Sequence, residues 1–292
     1  MARFTIWVTG SNGQLGREIA VLAEKLPEAD FIYTDVAELD ITELDGVRHF
    51  VTGNQPKYLI NCAAYTAVDR AEEDSEAVFR VNAAGAENLA RACSEGSVRI
   101  IHLSTDYVFD GASTFPYTEE SEVNPQSVYG HSKLEGERKV ADNNPDAIII
   151  RTAWLYSSFG SNFVKTMLRL AGERPEVRVV ADQTGSPTYA RDLAEAILVL
   201  IEQSEANAGY WTPGLYHYSN EGVCSWYDFA VAIMEEAGVS CRVIPVTTAE
   251  FPTVAKRPAY SVLSKSKLRY TFGLDIPHWR RSLRECLKLL TK

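Results

Sequence analysis

Phe4-Thr5-Ile6-Trp7-Val8-Thr9-Gly10-Ser11-Asn12-Gly13-Gln14-Leu15-Gly16 is the stretch that decides the fold. The apolar run from Phe4 to Val8 reads as a buried strand, and Ile19 and Leu22 beyond the last glycine fall at helical spacing. Between them stand glycines at G-x-x-G-x-x-G spacing. A glycine-rich turn between the first strand and the first helix of a chain is a dinucleotide fingerprint. Gly10 permits the tight turn, Gly13 lets backbone approach a pyrophosphate, and Gly16 lets the helix pack closely on the strand. The helix N-terminus then faces the phosphate charge.

Further candidate strands are Phe31 to Thr34, Tyr58 to Asn61, Arg99 to Ser104 and Ala147 to Arg151, and all but the last lead into helical patterns. The clearest helix is Ala77 to Cys93, where Val78, Val81, Leu89 and Ala92 recur at i, i+3, i+4 positions. This alternation predicts an α/β protein, a Rossmann-type doubly wound parallel sheet with helices on both faces. After Arg151 come a helix near Asn162 to Ala171, a strand near Val177 to Val180, a helix from Ala190 to Ile201 and a strand Leu215 to Tyr218. The final third carries helices Trp226 to Ala237 and Trp279 to Leu290 around a loop rich in Pro and Thr. The expected division is a dinucleotide-binding domain over 1–150 and a smaller C-terminal substrate-binding lobe over 151–292, with segments near 190–220 returning to the first domain.

The second strand leads to Asp35, 19 residues after Gly16, where a carboxylate accepts hydrogen bonds from a ribose 2′-hydroxyl. That position favours NAD over NADP unless Arg17 or another cation compensates. The fourth strand runs Ile100-Ile101-His102-Leu103-Ser104-Thr105-Asp106-Tyr107 and puts hydroxyls at the carboxyl edge of the sheet, where doubly wound folds bind ligands. Tyr129 and Lys133 follow at i and i+4, one face of a helix. A phenol titrates near pH 10, and neighbouring positive charge lowers that value. In the reductive direction Tyr129 would protonate a carbonyl oxygen as hydride reaches its carbon. Thr105 would hydrogen-bond the same oxygen, and Lys133 would also hold the nicotinamide ribose.

The net charge of −10 and the absence of a Lys/Arg stripe make nucleic acid an unlikely partner by electrostatics. The five cysteines (Cys62, Cys93, Cys224, Cys241, Cys286) are scattered and never C-x-x-C, so they signal neither a disulfide framework nor zinc. No stretch approaches the roughly 18 apolar residues that span a membrane, and the N-terminal apolar run is too short for a signal-peptide core. A cytoplasmic location is the expectation. His49, His102, His217 and His278 have no ligand-spaced partner, and Glu72-Glu73 and Glu119-Glu120 read as solvated faces or helix starts.

These motifs together carry a family resemblance. The glycine loop and Y-x-x-x-K identify an extended short-chain dehydrogenase/reductase. Ser104-Thr105-Asp106-Tyr107-Val108-Phe109-Asp110-Gly111, with Asp182-Gln183-Thr184-Gly185 and Arg257-Pro258, resembles the dTDP-4-dehydrorhamnose reductase family more specifically. Matching segments span nearly the whole chain, among them Leu39 to Thr42, Asn61 to Asp69 and Val81-Asn82-Ala83-Ala84-Gly85. The resemblance implies hydride transfer from NADPH or NADH to carbon 4 of dTDP-4-dehydro-beta-L-rhamnose, giving dTDP-L-rhamnose, with Tyr129 as proton donor. It also implies that Asn12, Gln14, Leu15, Asp35, Asp40, Ile41, Ala63, Ala64 and Thr66 line the cofactor, beside Gly10, Gly13, Gly16, Tyr129 and Lys133. Thr105, Asp106 and Trp154 would face the sugar, with core packing at a strand end the other reading of Trp154. Some family members are described as homodimers bridged by magnesium through glutamates. Glu18 matches one such position, but Arg191 stands at another, so no metal is expected here and a homodimer stays open.

Two other functions fit parts of the pattern. A nucleotide-sugar epimerase or 4,6-dehydratase uses the same tyrosine, lysine and cofactor. The dehydratase, however, carries an Asp-Glu pair after the threonine where this chain has Asp106-Tyr107. A non-catalytic regulatory subunit, like that of methionine adenosyltransferase, also resembles this family, against which stands the retained Tyr129 and Lys133.

Overall fold

The computed structural model describes residues 3–291. Five strands, β1 (Phe4–Thr9), β2 (Ala29–Thr34), β3 (Tyr58–Asn61), β4 (Arg99–Thr105) and β5 (Ile148–Thr152), join the strand Gly214–Tyr218 in one six-stranded sheet. Its order is Gly214–Tyr218, β5, β4, β3, β1, β2, and every pairing is parallel. The chain reverses its direction across the sheet between β1 and β3, which opens a crevice at their carboxyl ends.

Alternation along the strands explains the two covered faces. Ile6, Val8, Ile60, Ile101, Ile148 and Ile150 point to one core, shared with Ile19 and Leu22 of the helix Gln14–Leu22 and with Leu193, Ile197 and Ile201 of the helix Ala190–Ala206. Trp7, Leu59, Ile100 and Ile149 point the opposite way, onto Val47, Val51, Leu89, Cys93 and Val140. A third core joins Val177, Val179, Phe229, Ile233, Leu283 and Leu287. There Glu176–Val180 pairs in parallel with Arg242–Val246, a strand hidden in the Pro- and Thr-rich stretch because Pro245 and a short two-stranded edge give no alternation signal.

The helix expected from Ala77 to Cys93 differs in its interior. It runs as Ser75–Phe79, a π-helical stretch Arg80–Gly85 and then Ala86–Glu95. The wider turn brings Asn82 inward, where Nδ2 donates to Tyr65 O and Ser132 Oγ and Oδ1 accepts from Tyr65 N. Such single π turns gather at functional sites. Among the described residues no helix is long and apolar enough to cross a membrane, no group of three or more His, Cys, Asp or Glu is placed to hold a metal ion, and the five cysteines are free.

Candidate active site

At the carboxyl edge of the sheet lies a cleft of about 790 Å³, within the range of small-molecule sites. The last residues of β1, β2, β4 and β5 line it, so the strand ends set its floor. Gly10, Gly13, Gln14, Leu15, Asp35, Asp40, Ile41, Ala63, Ala64, Thr66, Thr105, Asp106, Tyr129, Lys133 and Trp154 all face into it. Of the residues expected from sequence, Asn12 and Gly16 are not part of this lining.

The glycine loop has the shape a diphosphate needs. Gly10 sits at φ +61°, and a Cβ there would lie 2.6 Å from Ala63 N, so the loop presses against the end of β3 as only glycine allows. Gly13 caps the helix Gln14–Leu22 with no side chain capping it and no acidic residue in the first turn, which leaves the helix start open to an anion. Gly16 differs from expectation. Its close neighbours are Ser11 Cα and Gly10 O, so it seats the helix on its own loop rather than on the strand.

Asp35 accepts from Asn12 N at 3.0 Å and Val36 N at 2.8 Å, which orients its carboxylate. Glu38, unnoticed in the sequence, accepts from Asp35 N at 2.9 Å and puts a second carboxylate at the same edge. Arg17 donates at 3.2 Å to the O of Asn12, whose N–H donates to Asp35, and lies 5.8 Å from the Phe159 ring centre. Asn82 clamps both backbone groups of Tyr65, fixing the Ala63–Thr66 wall.

Tyr129 and Lys133 lie in the first turns of the helix Val128–Asn143. Ser127 caps it, accepting from Gly130 N at 3.1 Å, and Glu72 accepts from Val128 N at 2.9 Å. Glu72 therefore anchors the start of this helix, the second of the two readings its sequence position allowed. Glu119 likewise accepts from His217 N at 3.0 Å. Thr105 Oγ1 donates to Asp106 Oδ1 at 3.0 Å and accepts from Tyr107 N at 3.2 Å. The Tyr107 and Tyr129 rings meet edge to face, their centres 5.6 Å apart.

Burial raises the Tyr129 phenol well above its usual value, with the nearby Thr105 hydroxyl opposing it. The expected lowering by Lys133 is not what the geometry gives. Lys133 is buried, with Nζ donating to Leu103 O at 2.7 Å. The phenol is thus held protonated at neutral pH, the form a proton donor requires. Burial lowers Lys133 to about 8, against the opposing pull of Glu137 and Cys62. Burial raises Asp106 to about 6.

Trp154 packs against the core and also borders the cleft. It lines the cleft, adopts φ +49°, and stacks on Trp226 with ring centres 3.6 Å apart. A bulky residue in the left-handed region is held there by its surroundings. Gly185 is one of them, since a Cβ there would lie 2.6 Å from the indole. Of the other distinctive motifs, Arg257 reaches the cleft residue Tyr107, whereas Asp182 binds Thr248 outside the lining. Arg257 donates to Tyr107 Oη at 2.8 Å and Asp69 Oδ2 at 2.6 Å, and Asp182 accepts from Thr248 N and Oγ1 at 2.9 and 2.8 Å. Glu18 is buried inside the fold, accepting from Ser157 Oγ at 2.5 Å.

Comparison with known proteins agrees with this geometry. The family model described as RmlD substrate binding domain matches residues 4–292. A dTDP-4-dehydrorhamnose reductase from Aggregatibacter actinomycetemcomitans is 43% identical over 291 residues, 97% of this chain and 98% of that protein. Among solved structures, a dTDP-4-dehydrorhamnose reductase from Clostridium acetobutylicum superposes with a TM-score of 0.93 at 46% identity, covering 99% of this chain and 100% of that one. The dTDP-4-dehydrorhamnose reductase from Bacillus anthracis, in complex with NADP, superposes with a TM-score of 0.92 at 40% identity, covering 98% and 99%.

Proposed function

The chain belongs to the dTDP-4-dehydrorhamnose reductase family, and from that membership we propose that it reduces dTDP-4-dehydro-beta-L-rhamnose to dTDP-L-rhamnose with NADPH or NADH. The observation that carries this reading is the presence, in one cleft, of an uncapped helix start behind a glycine loop together with Thr105, Tyr129 and Lys133. Gly10, Gly13, Gln14 and Leu15 would hold the diphosphate, with Asp35, Asp40, Ile41, Ala63, Ala64 and Thr66 around the rest of the dinucleotide. When bound, the reduced nicotinamide supplies hydride to carbon 4 of the sugar.

The side chains do the rest. Tyr129, kept neutral by burial, gives its phenolic proton to the sugar's carbonyl oxygen. Thr105 can donate to that oxygen only by turning away from Asp106, which frees the carboxylate for a sugar hydroxyl. Lys133 spends one of its three donors on Leu103 O and has the others for the nicotinamide ribose. Residues 1–150 with 190–220 form the dinucleotide-binding part in this reading, and the remainder of 151–292 carries the substrate side. The small, diffusible reactants and the free cysteines suit a cytoplasmic enzyme.

The test is the loss of nicotinamide absorbance with dTDP-4-dehydrorhamnose generated in situ. Turnover with NADH or NADPH is expected. A folded protein that binds dinucleotide and oxidises neither is not this reductase.

The same assay weighs the ribose edge. Asp35 and Glu38 oppose a 2′-phosphate by like charge. Asp35→Ser is expected to raise the ratio of kcat/KM for NADPH to that for NADH by about tenfold, or ~1.4 kcal/mol. An unchanged ratio would mean that Asp35 serves only to order the loop through Asn12 and Val36.

A further inference from the structure

Beneath Lys133 lies a buried ionic group that proton donation and cofactor binding have not used. Lys133 and Glu137 are four residues apart on the helix Val128–Asn143, both almost without solvent contact. They grip successive residues of β4. Lys133 Nζ donates to Leu103 O, and Glu137 Oε1 accepts from Ser104 Oγ at 2.5 Å. Arg151 of β5, which stands opposite Ser104 in the sheet, completes the group with two bonds to the same carboxylate, Nε to Oε1 at 2.8 Å and Nη2 to Oε2 at 2.7 Å. The guanidinium is itself buried, 5.0 Å from the Phe109 ring centre.

We propose that Glu137 is a positioning residue for this reductase, the fixed counter-charge that keeps the buried Lys133 ammonium protonated and aimed at the cofactor side of the cleft, and that Arg151 and Ser104 hold it there. The role assigned to Lys133 rests on the functional reading above, but its charge state can be measured apart from turnover.

The other groups facing Lys133 do not replace this carboxylate. His102 on β4 is buried and neutral, pushed far below its usual value mainly by burial, with Nδ1 paired to Asn61 Nδ2 at 2.9 Å. Cys62, after β3, is a thiol that burial raises to about 12. Tyr129 is held neutral at neutral pH. Arg151 of β5 holds Glu137 by a bidentate contact, and Glu137 faces Lys133 from one helical turn away rather than in a direct ion pair. An ammonium removed from water needs a paired anion to stay charged.

The test uses full-length protein labelled with [ε-13C]lysine, the Lys133 signal being assigned by its loss in Lys133→Met, and follows its titration by NMR. In the unsubstituted protein the midpoint is expected near 8, and a Lys133 already neutral at pH 7 overturns the proposal. Glu137→Gln is expected to lower the midpoint by at least one unit, because it removes the anion. Arg151→Met, with a side chain of similar length, is expected to raise it, because it removes a competing cation. The alkaline limb of kcat/KM is expected to move the same way in each variant, with activity recovering toward that of the unsubstituted enzyme below the new midpoint. Midpoints unmoved in a folded variant would leave Glu137 a purely structural residue. Shifts of the predicted sign in a protein that turns over no sugar would keep the counter-charge and refute the reductase instead.

Discussion

Replacing Tyr129 by Phe is expected to lower kcat by about a thousandfold, the contribution of a well-placed general acid, equivalent to ~4 kcal/mol in the barrier. The ring remains, so its edge-to-face contact with Tyr107 and its place in the first turn of the helix Val128–Asn143 are kept. Only the hydroxyl goes, and with it the proton that the proposed reaction gives to the sugar oxygen. Dinucleotide affinity is expected to fall by less than about tenfold, the value of one neutral hydrogen bond. Fluorescence titration with NADH and steady-state kinetics separate the two effects. A variant that keeps kcat within about fivefold would remove Tyr129 from the proton path, since that loss is below what a general acid contributes. The pH dependence adds a sign. Because burial pushes the phenol up, its own ionisation does not limit the rate near neutrality, and the alkaline decline is expected where Lys133 loses its proton, near 8.

What could be read from sequence was what local spacing encodes. The glycine loop, the Thr105 strand end and the Tyr129–Lys133 pair each lie within a few residues, so strand, turn and helix periods place them without knowledge of the fold. All of them reach one cleft apart from Asn12 and Gly16, which are not part of its lining. What could not be read was contact between distant segments. Arg257 meets Asp69 across 188 residues, and Arg151 meets Glu137 across elements whose alignment depends on how β4 and β5 pair. Glu72 read as a solvated face or a helix start, and only the contact with Val128 N, 56 residues away, shows which helix begins on it. The π-helical turn at Arg80–Gly85 left no periodicity signal strong enough to break the helical reading, because the apolar positions on either side still fit a helix.

Gly130 exposes the same limit and yields the second large expected effect. By propensity alone, Gly to Ala within a helix stabilises by ~1 kcal/mol, and its φ is not in the left-handed region. Yet a Cβ at Gly130 would lie 2.3 Å from Tyr107 O and 3.0 Å from Pro125 Cβ. A backbone carbonyl cannot give way as a side chain does, so the helix must retreat by roughly 1 Å, the difference from ordinary van der Waals contact. That displacement carries Tyr129, the adjacent residue, away from Thr105, and a misplacement of about this size costs about a hundredfold in rate. Gly130→Ala is therefore expected to lower kcat by about that factor and to lower Tm, as overpacking does. Gly53 supplies the control. It lies in the helix Leu44–Asn54 with no heavy atom within 4 Å of an added Cβ, so Gly53→Ala should leave kcat unchanged and raise Tm slightly. If Gly130→Ala instead behaved like Gly53→Ala, the seat of the catalytic helix on Tyr107 would not be what fixes the distance over which the proton moves.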